Sequence, residues 1–319
     1  MEDASSRIGG LSVVVPVYNS ASTLRDLAER LDRTFAPRRF PLELVLVNDG
    51  SEDASWQAVG DLARRFDWVR GVDLARNVGQ HNALLCGIRQ ARHPVIVTID
   101  DDLQHPPEEI PTLLAALGDD IDLVYGQPAR HRHPFWRIAA SWLLGRLARV
   151  DRPSGPTRFS AFRAFRTRLR EAFSGHRTPF VSIDVLLSWS TSRIATVAIE
   201  HRPRAAGRSS YNLRKLVDLA LDTLLGFGSP SPWLMAGLGL ACAAAGAAGL
   251  GAAWAGILVA GGRGVGLLEL SAVAALFAGL QLCLLAWFGH YLGRLYAVAI
   301  GRPPYVVART TDEALAGQD

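Results

Sequence analysis

The sequence predicts an α/β layer structure with a mainly parallel sheet, followed by an amphipathic helix and two membrane-spanning helices. Three observations carry this expectation. Apolar runs alternate with helix-period segments through the first 126 residues, which is the pattern of parallel strands joined by crossover helices. The runs are almost continuously apolar, as expected of strands buried on both faces. The two long uncharged stretches of the 319-residue chain both lie after residue 232.

Taken in order, "LSVVVPV" (11–17), "LELVLV" (42–47), "VRGVDL" (69–74), "PVIVTI" (94–99) and "IDLVYG" (121–126) read as strands. Residues 21–35, 53–66, 80–91 and 107–117 read as helices. Ser51 in "SEDA" is the expected cap of the second helix, and Pro106 and Pro107 suit a first turn. Ligands of such sheets bind outside the carboxyl ends of the strands. Four polar segments follow strands there: "VYN" (17–19), "NDGS" (48–51), "ARNVGQHN" (75–82) and "DDDLQ" (100–104). They are expected to converge on one edge.

Three adjacent aspartates, Asp100, Asp101 and Asp102, repel one another unless a cation compensates. If the chain leaves the strand extended, alternation places Asp100 and Asp102 on one face and Asp101 on the other. An Asp-x-Asp pair suits Mg²⁺ or Mn²⁺, hard cations that take oxygen ligands and share their shell with substrate phosphates. There is no GxxxxGK[ST] segment, which argues against a P-loop nucleotide hydrolase. A metal that holds a diphosphate serves phosphoryl or glycosyl transfer equally well.

The later half has a different composition. Residues 127–170 contain eleven arginines and one acid, Asp151. No aromatic-interleaved basic platform accompanies them, so anionic lipid and phosphate groups fit better than nucleic acid. Residues 212–228 place Leu213, Leu216, Val217, Leu219, Ala220, Leu224 and Phe227 in an amphipathic pattern suited to a headgroup plane. Stretches 233–260 and 270–289 carry no charge and reach the length of a span.

The basic stretch 201–215 lies before the first of these stretches, and the connector 261–269 holds one arginine. The positive-inside rule then places the large N-terminal region and the tail on the cytoplasmic side of the inner membrane. The N-terminus lacks the apolar core of a signal peptide, and the three cysteines form no zinc or disulfide pattern. The expected organisation is a catalytic domain (1–211), a juxtamembrane helix and linker (212–232), a transmembrane hairpin (233–289) and a cytoplasmic tail (290–319). Glycine and alanine crowd the first stretch, as in closely packed helices within a chain or in a homo-oligomer.

"VVVPVYN", "LVNDGS", "LARNVGQHNAL" and "IDDDLQHPPEEIP" together resemble glycosyltransferase family 2, inverting enzymes with a GT-A nucleotide-sugar fold. "FWRIAAS" (135–141), "FRAFR" (162–166), "HRPRAAGRSSYNLRKLVDL" (201–219) and "YLGRLYAVAIGRPPYVV" (291–307) look like its membrane-bound polyprenyl-phosphate members. "GQHNA" and "LQHPPEEIP" are most similar to those that transfer 4-deoxy-4-formamido-L-arabinose or mannose.

The resemblance implies that Pro16, Tyr18 and Asn19 line the nucleotide pocket and that Asp49 accepts a hydrogen bond from the base. It sets Arg76 and Gln80 near the nucleotide or its diphosphate. Asp100 and Asp102 correspond to the metal pair, with Asp101 where relatives commonly carry alanine and Gln104 alongside. Asp102, Arg137 and Arg204 are the implied catalytic residues, the two arginines as phosphate clamps. Ser141, Arg163, Gly207 and Ser209 join Gln104 on the acceptor side. "GQPAR" (126–130) departs from the "GSR" of many relatives, leaving Arg130 a loose counterpart, and Tyr211 stands where some carry lysine.

The implied reaction moves one sugar from a nucleotide-diphosphate sugar, with UDP the expected nucleotide, to undecaprenyl-type polyprenyl phosphate at the bilayer. A flippase or a second glycosyltransferase would act downstream. Two alternatives are a processive polysaccharide synthase, whose Gln-x-x-Arg-Trp motif is missing here, and a catalytically silent membrane scaffold.

Overall fold

The computed structural model describes residues 8–38, 40–128, 159–179, 182–200, 248–249, 251, 255 and 267–316. The chain divides into two compact units: Met1–Arg132 with Arg152–Ser210 and Gly301–Asp319, and His133–Asp151 with Tyr211–Ile300.

The first unit is built on one sheet. Its strands are β1 (Leu11–Val17), β2 (Leu42–Asn48), β3 (Val69–Leu74), β4 (Val95–Thr98), β5 (Leu123–Pro128), β6 (Arg163–Arg166), β7 (Ile194–Ile199) and β8 (Val307–Thr310), in the order β7-β5-β6-β4-β1-β2-β3-β8. Strands β3, β2, β1 and β4 run parallel to one another, and β5 runs parallel to β7. β6 enters antiparallel between β4 and β5, and β8 closes the far edge antiparallel to β3. The helices are α1 (Ala21–Phe35), α2 (Ser55–Arg65), α3 (Gln80–Gln90), α4 (Ile110–Ala116), α5 (Ile183–Ser190), α6 (Leu267–Ala299) and α7 (Thr311–Ala316), of which α6 belongs to the second unit.

Every residue of β1 is buried, and its pleat divides them between two cores. Val13, Val15 and Val17 pack with Leu24, Leu27 and Leu31 of α1 and with Val59 of α2. Val14 faces the opposite layer, with Leu84, Leu85 and Ile88 of α3 and Leu187 of α5. A fully buried leucine contributes about 2 kcal/mol relative to exposure. The stripe of α1 therefore docks that helix although Ser20 makes no side-chain cap bond.

The five expected strands and four expected helices are present with small shifts at their ends. Two local expectations need correction. Ser51 does not cap α2: its Oγ accepts the N–H of Asn19 at 3.0 Å, while Asp53 accepts the N–H of Ser55 at 2.9 Å. The hydroxyl thus crosslinks two loops that sequence proximity does not connect. β4 ends at Thr98, and residues 101–102 lie in a turn. Leu103 follows in the left-handed region at φ 60°, an uncommon place for a bulky residue and a mark of local constraint.

The membrane architecture is also corrected. Among the described residues no helix is long and apolar enough to cross a membrane. This overturns the two spans and the multi-pass location in the inner membrane with both termini cytoplasmic. Lack of charge favours a span and does not suffice for one. The 33-residue helix that contains 270–289 runs on past it through His290, Tyr291, Arg294 and Tyr296, so the apolar run does not set the helix ends. The amphipathic segment 212–228 and nearly all of 233–260 lie outside the described residues.

Asp122, just ahead of β5, is a buried hub. Its carboxylate accepts hydrogen bonds from Arg168 at 2.6 Å, Arg193 at 2.9 Å and Thr191 at 2.9 Å. Burial alone would raise its pKa, but Arg193, Arg168 and Thr191 prevail and hold it at about 2. The folded value lies below the unfolded value of about 3.9. Its contribution to stability is therefore complete above that pH and is lost as pH falls through about 2. Asp122→Ala is expected to cost on the order of 2 kcal/mol at neutral pH. Chemical denaturation over a pH series should show the difference from wild type closing in that acid window.

Candidate active site

The carboxyl ends of β1, β2, β3 and β4 meet at an open cleft of about 290 Å³. It is lined by Pro16, Val17, Tyr18, Asp49, Asn77, Gly79, Gln80, Asp100, Asp101 and Asp102. All four polar segments expected to converge there are represented.

Asp49 follows β2, its backbone N–H donating to the carbonyl of Val17 at 2.8 Å. Its carboxylate is buried and accepts the N–H of Val78 at 2.7 Å and of Gly79 at 2.9 Å. Burial raises its pKa, opposed by those two amides. The close approach that makes this possible depends on Gly50, at φ +65°, where a Cβ would stand 2.5 Å from the N of Asn77. Gly79, at φ 90°, turns the chain into α3. It frees the start of that helix to present Gln80, whose Nε2 donates to Asp100 at 2.7 Å.

The three aspartates take different partners, and they do so from a turn rather than from the extended strand that the alternation argument assumed. Asp100 accepts from Gln80, and Asp102 accepts the N–H of Gln104 at 3.1 Å. Asp101 instead accepts the N–H of Tyr18 at 3.2 Å and so ties the turn to the end of β1. Burial raises its pKa, opposed by hydrogen bonds from Ser20 and Tyr18.

Among the described residues no group of three or more His, Cys, Asp or Glu side chains is arranged to hold a metal. The residues present still fit Mg²⁺ or Mn²⁺. Such an ion is commonly held by one or two carboxylates, with phosphates and water completing its shell. Asp100 and Asp102 supply two carboxylates in one cleft.

Asn19, Arg76 and Gln104 stand beside the cleft rather than in its lining. Asn19, at φ 53°, bridges loops by donating its N–H to Ser51 and accepting the N–H of Glu52 at 2.9 Å. Arg76 is exposed. Arg163 is 1% exposed; it donates to Thr98 at 2.9 Å and is ion-paired with Asp184. Arg137, Ser141, Arg204, Gly207 and Ser209 lie outside the described residues, as do Arg130 and Tyr211.

Sequence reasoning missed several contributors. Val17, Asn77 and Gly79 line the cleft, and Asp184 pairs with buried Arg163, which reaches Thr98 at the end of β4. Asp184, in the first turn of α5, accepts from the Tyr125 hydroxyl at 3.1 Å as well as pairing with Arg163. Burial first, then the nearby Arg163, lower the pKa of His81, next to Gln80, against the pull of Asp184. Its Nδ1 receives the N–H of Ile183 at 3.4 Å. The acidic first-turn position of "SIDVLL" was the available signal for Asp184.

Residues 12–176 match the model of the glycosyl transferase family 2. The chain is 33% identical over 313 residues to the undecaprenyl-phosphate 4-deoxy-4-formamido-L-arabinose transferase of Pseudomonas aeruginosa, covering 94% of this chain and 89% of that protein. The enzyme of that name from Proteus mirabilis is 31% identical over 318 residues, covering 95% and 94%. Among solved structures, a mannosyltransferase from Pyrobaculum calidifontis in complex with GDP-Man and Mn²⁺ superimposes with a TM-score of 0.51 at 21% identity. That match covers 91% of this chain and 85% of the other, and supports a GT-A-like fold. With the carboxylate cleft at the strand ends and matches spanning nearly its whole length, the chain belongs to glycosyl transferase family 2, as a GT-A-type glycosyltransferase that uses a nucleotide sugar.

Proposed function

We propose that the protein transfers one sugar from a nucleotide-diphosphate sugar, with UDP the expected nucleotide, to polyprenyl phosphate, with inversion at the anomeric carbon. The observation that carries this reading is the reach of the similarity. It extends over 94% of the chain to an enzyme named for undecaprenyl phosphate, well past the residues 12–176 of the family model. That extra length includes "HRPRAAGRSSYNLRK", with Arg204, Gly207 and Ser209.

In this reading the nucleotide lies along the cleft, its base toward Asp49 and the loop that Asp49 holds through Val78 and Gly79. Asp100 and Asp102 would hold a divalent cation, which when bound supplies charge stabilisation to the departing nucleotide diphosphate. Gln80 orients Asp100. The acceptor phosphate is already ionised at neutral pH, so attack on the anomeric carbon requires alignment rather than a strong general base. Its oxygen forms the new bond as the bond to the nucleotide diphosphate breaks, with no net proton transfer. Arg137 and Arg204 are assigned to the phosphates because a guanidinium fork matches their geometry. Gln104, Ser141, Gly207 and Ser209 are assigned to the acceptor side, and Arg163 supports it from within the fold through Asp184.

The test is an incubation of purified protein with polyprenyl phosphate in detergent, Mg²⁺ or Mn²⁺, and separate UDP- and GDP-sugars. Mass spectrometry of the lipid fraction should show the gain of one sugar from one donor class. Addition of several sugars to one lipid would point to a processive synthase. Nucleotide binding with no product from any donor would favour the silent scaffold.

A further inference from the structure

The C-terminal segment returns to the first unit and completes its sheet beside the cleft. β8 pairs with β3 through Val72↔Thr310, Asp73↔Arg309 and Leu74↔Val307, with a register shift between Asp73 and Leu74. Beyond the shift, the N–H of Ala75 donates to the carbonyl of Val306 at 2.9 Å. Ala75 opens the loop that delivers the Val78 and Gly79 amides to Asp49.

Arg309 makes the connection specific. Its Nε donates to Asp73 at 2.8 Å, and its guanidinium lies 5.1 Å from the centre of the Trp56 ring in α2. Asp73 in turn accepts from Nδ2 of buried Asn48 at 2.6 Å. Asn48 immediately precedes Asp49, and Trp56 lies in the helix that follows the 49–54 loop. One side chain of β8 therefore braces both strands from which the nucleotide side of the cleft is built.

The far end of the same segment is anchored separately. Thr310 and Glu313 exchange capping bonds at 3.2 and 3.3 Å, starting α7. Asp312 pairs with Arg70 at 2.9 Å and with Arg92 at 3.3 Å, and Arg70 also reaches Glu43 at 3.0 Å. Arg70 and Glu43 lie at the amino ends of β3 and β2, away from the cleft.

We propose that β8, through Arg309 and the Val306 carbonyl, positions the 75–79 loop and Asp49 for nucleotide binding. Arg309 is a positioning residue, because it touches the strands that carry the pocket and does not line it. The proposal rests on the nucleotide-sugar reading of the cleft. Docking of β8 and binding of nucleotide are then coupled, and coupling is reciprocal. Nucleotide should tighten the β8 ladder as much as the ladder tightens nucleotide.

Calorimetry with UDP and GDP on full-length protein tests both directions. Arg309→Ala is expected to weaken binding of the nucleotide that wild type binds by about tenfold, raising KM for the donor with little change in kcat. Arg309→Lys, which keeps the charge beside Asp73 and Trp56, should recover part of that loss. Asp312→Asn should lower thermal stability with unchanged nucleotide affinity. In wild type, saturating nucleotide should slow hydrogen exchange at the amides of residues 307–310. Wild-type protein that binds nucleotide, with Arg309→Ala binding equally well and no change in exchange, would overturn the positioning role and leave the nucleotide-sugar reading standing. Wild-type protein that binds neither nucleotide would overturn both. An equal loss of affinity in Asp312→Asn and Arg309→Ala would reduce β8 to general structural support and also overturn the proposal.

Discussion

Asp102→Asn should lower sugar transfer by about 10³-fold, because the stabilisation of a leaving diphosphate by a bound cation is worth several kcal/mol. The substitution preserves shape and removes a charge. Asp102 accepts the N–H of Gln104, two residues away, and an asparagine oxygen can accept the same bond, so the fold should survive the substitution. Thermal unfolding within a few degrees of wild type, together with lost turnover and lost Mn²⁺-dependent nucleotide binding, is the expected combination. Asp101→Asn is the internal contrast. Its carboxylate serves Tyr18 and Ser20 rather than its partners in the cleft, and burial already disfavours its charge. An asparagine oxygen can accept the same backbone N–H. Asp101→Asn should therefore keep at least roughly a third of wild-type turnover, about 0.6 kcal/mol on the barrier. Full activity in Asp102→Asn at saturating metal would remove the metal assignment. Equal loss in Asp101→Asn and Asp102→Asn would show that the cluster acts only through total charge.

Asp49→Ala is expected to raise the dissociation constant for the nucleotide about 100-fold, with smaller effects on stability. The carboxylate is the shared acceptor for two half-buried backbone amides, and its removal releases both to water. The loop from Arg76 to Gly79 would then relax away from Gly50, opening the nucleotide side of the cleft. A pH signature accompanies this. Burial raises the pKa of Asp49, so the ionised form that can satisfy both amides is lost at a higher pH than for an ordinary aspartate. Nucleotide affinity should accordingly begin to fall, on acidification, above the usual aspartate range of about 3.9. Titration calorimetry across that range checks it. An acid limb unchanged between wild type and Asp49→Asn would show that another group sets the pH dependence.

Much of the architecture was legible because it is written in local periodicity. The five apolar runs became β1 to β5, and the helix-period segments became α1 to α4. The rule that ligands sit at carboxyl strand ends collected Tyr18, Asp49, Gln80 and the three aspartates into one cleft. β6, β7 and β8 escaped. "RAFR" and "VART" are four residues each and carry neither a long apolar run nor a strict alternation. Their strand character comes from neighbours far away in sequence. β7 lies at a sheet edge and is half exposed, which weakens its apolar pattern. The two expected membrane spans are not found among the described residues, and the helix that contains 270–289 continues through polar residues.

The sequence by itself determined the α/β layering, the acidic cluster and the polar loops that follow the strands, because strand pleat, helix period and the chemistry of adjacent carboxylates are local properties. Only the tertiary structure decided which partner each of those groups meets. Asp49 is held by backbone amides, which no side-chain pattern announces, and Asp101 is turned toward Tyr18 while Asp100 faces Gln80. Arg163, set on the acceptor side by the resemblance, is buried against Asp184. The C-terminal strand reaches Asp73 from 236 residues away. Such contacts follow from how the strands order across the sheet, and strand order is set by the packing of the whole layer rather than by any one segment of chain.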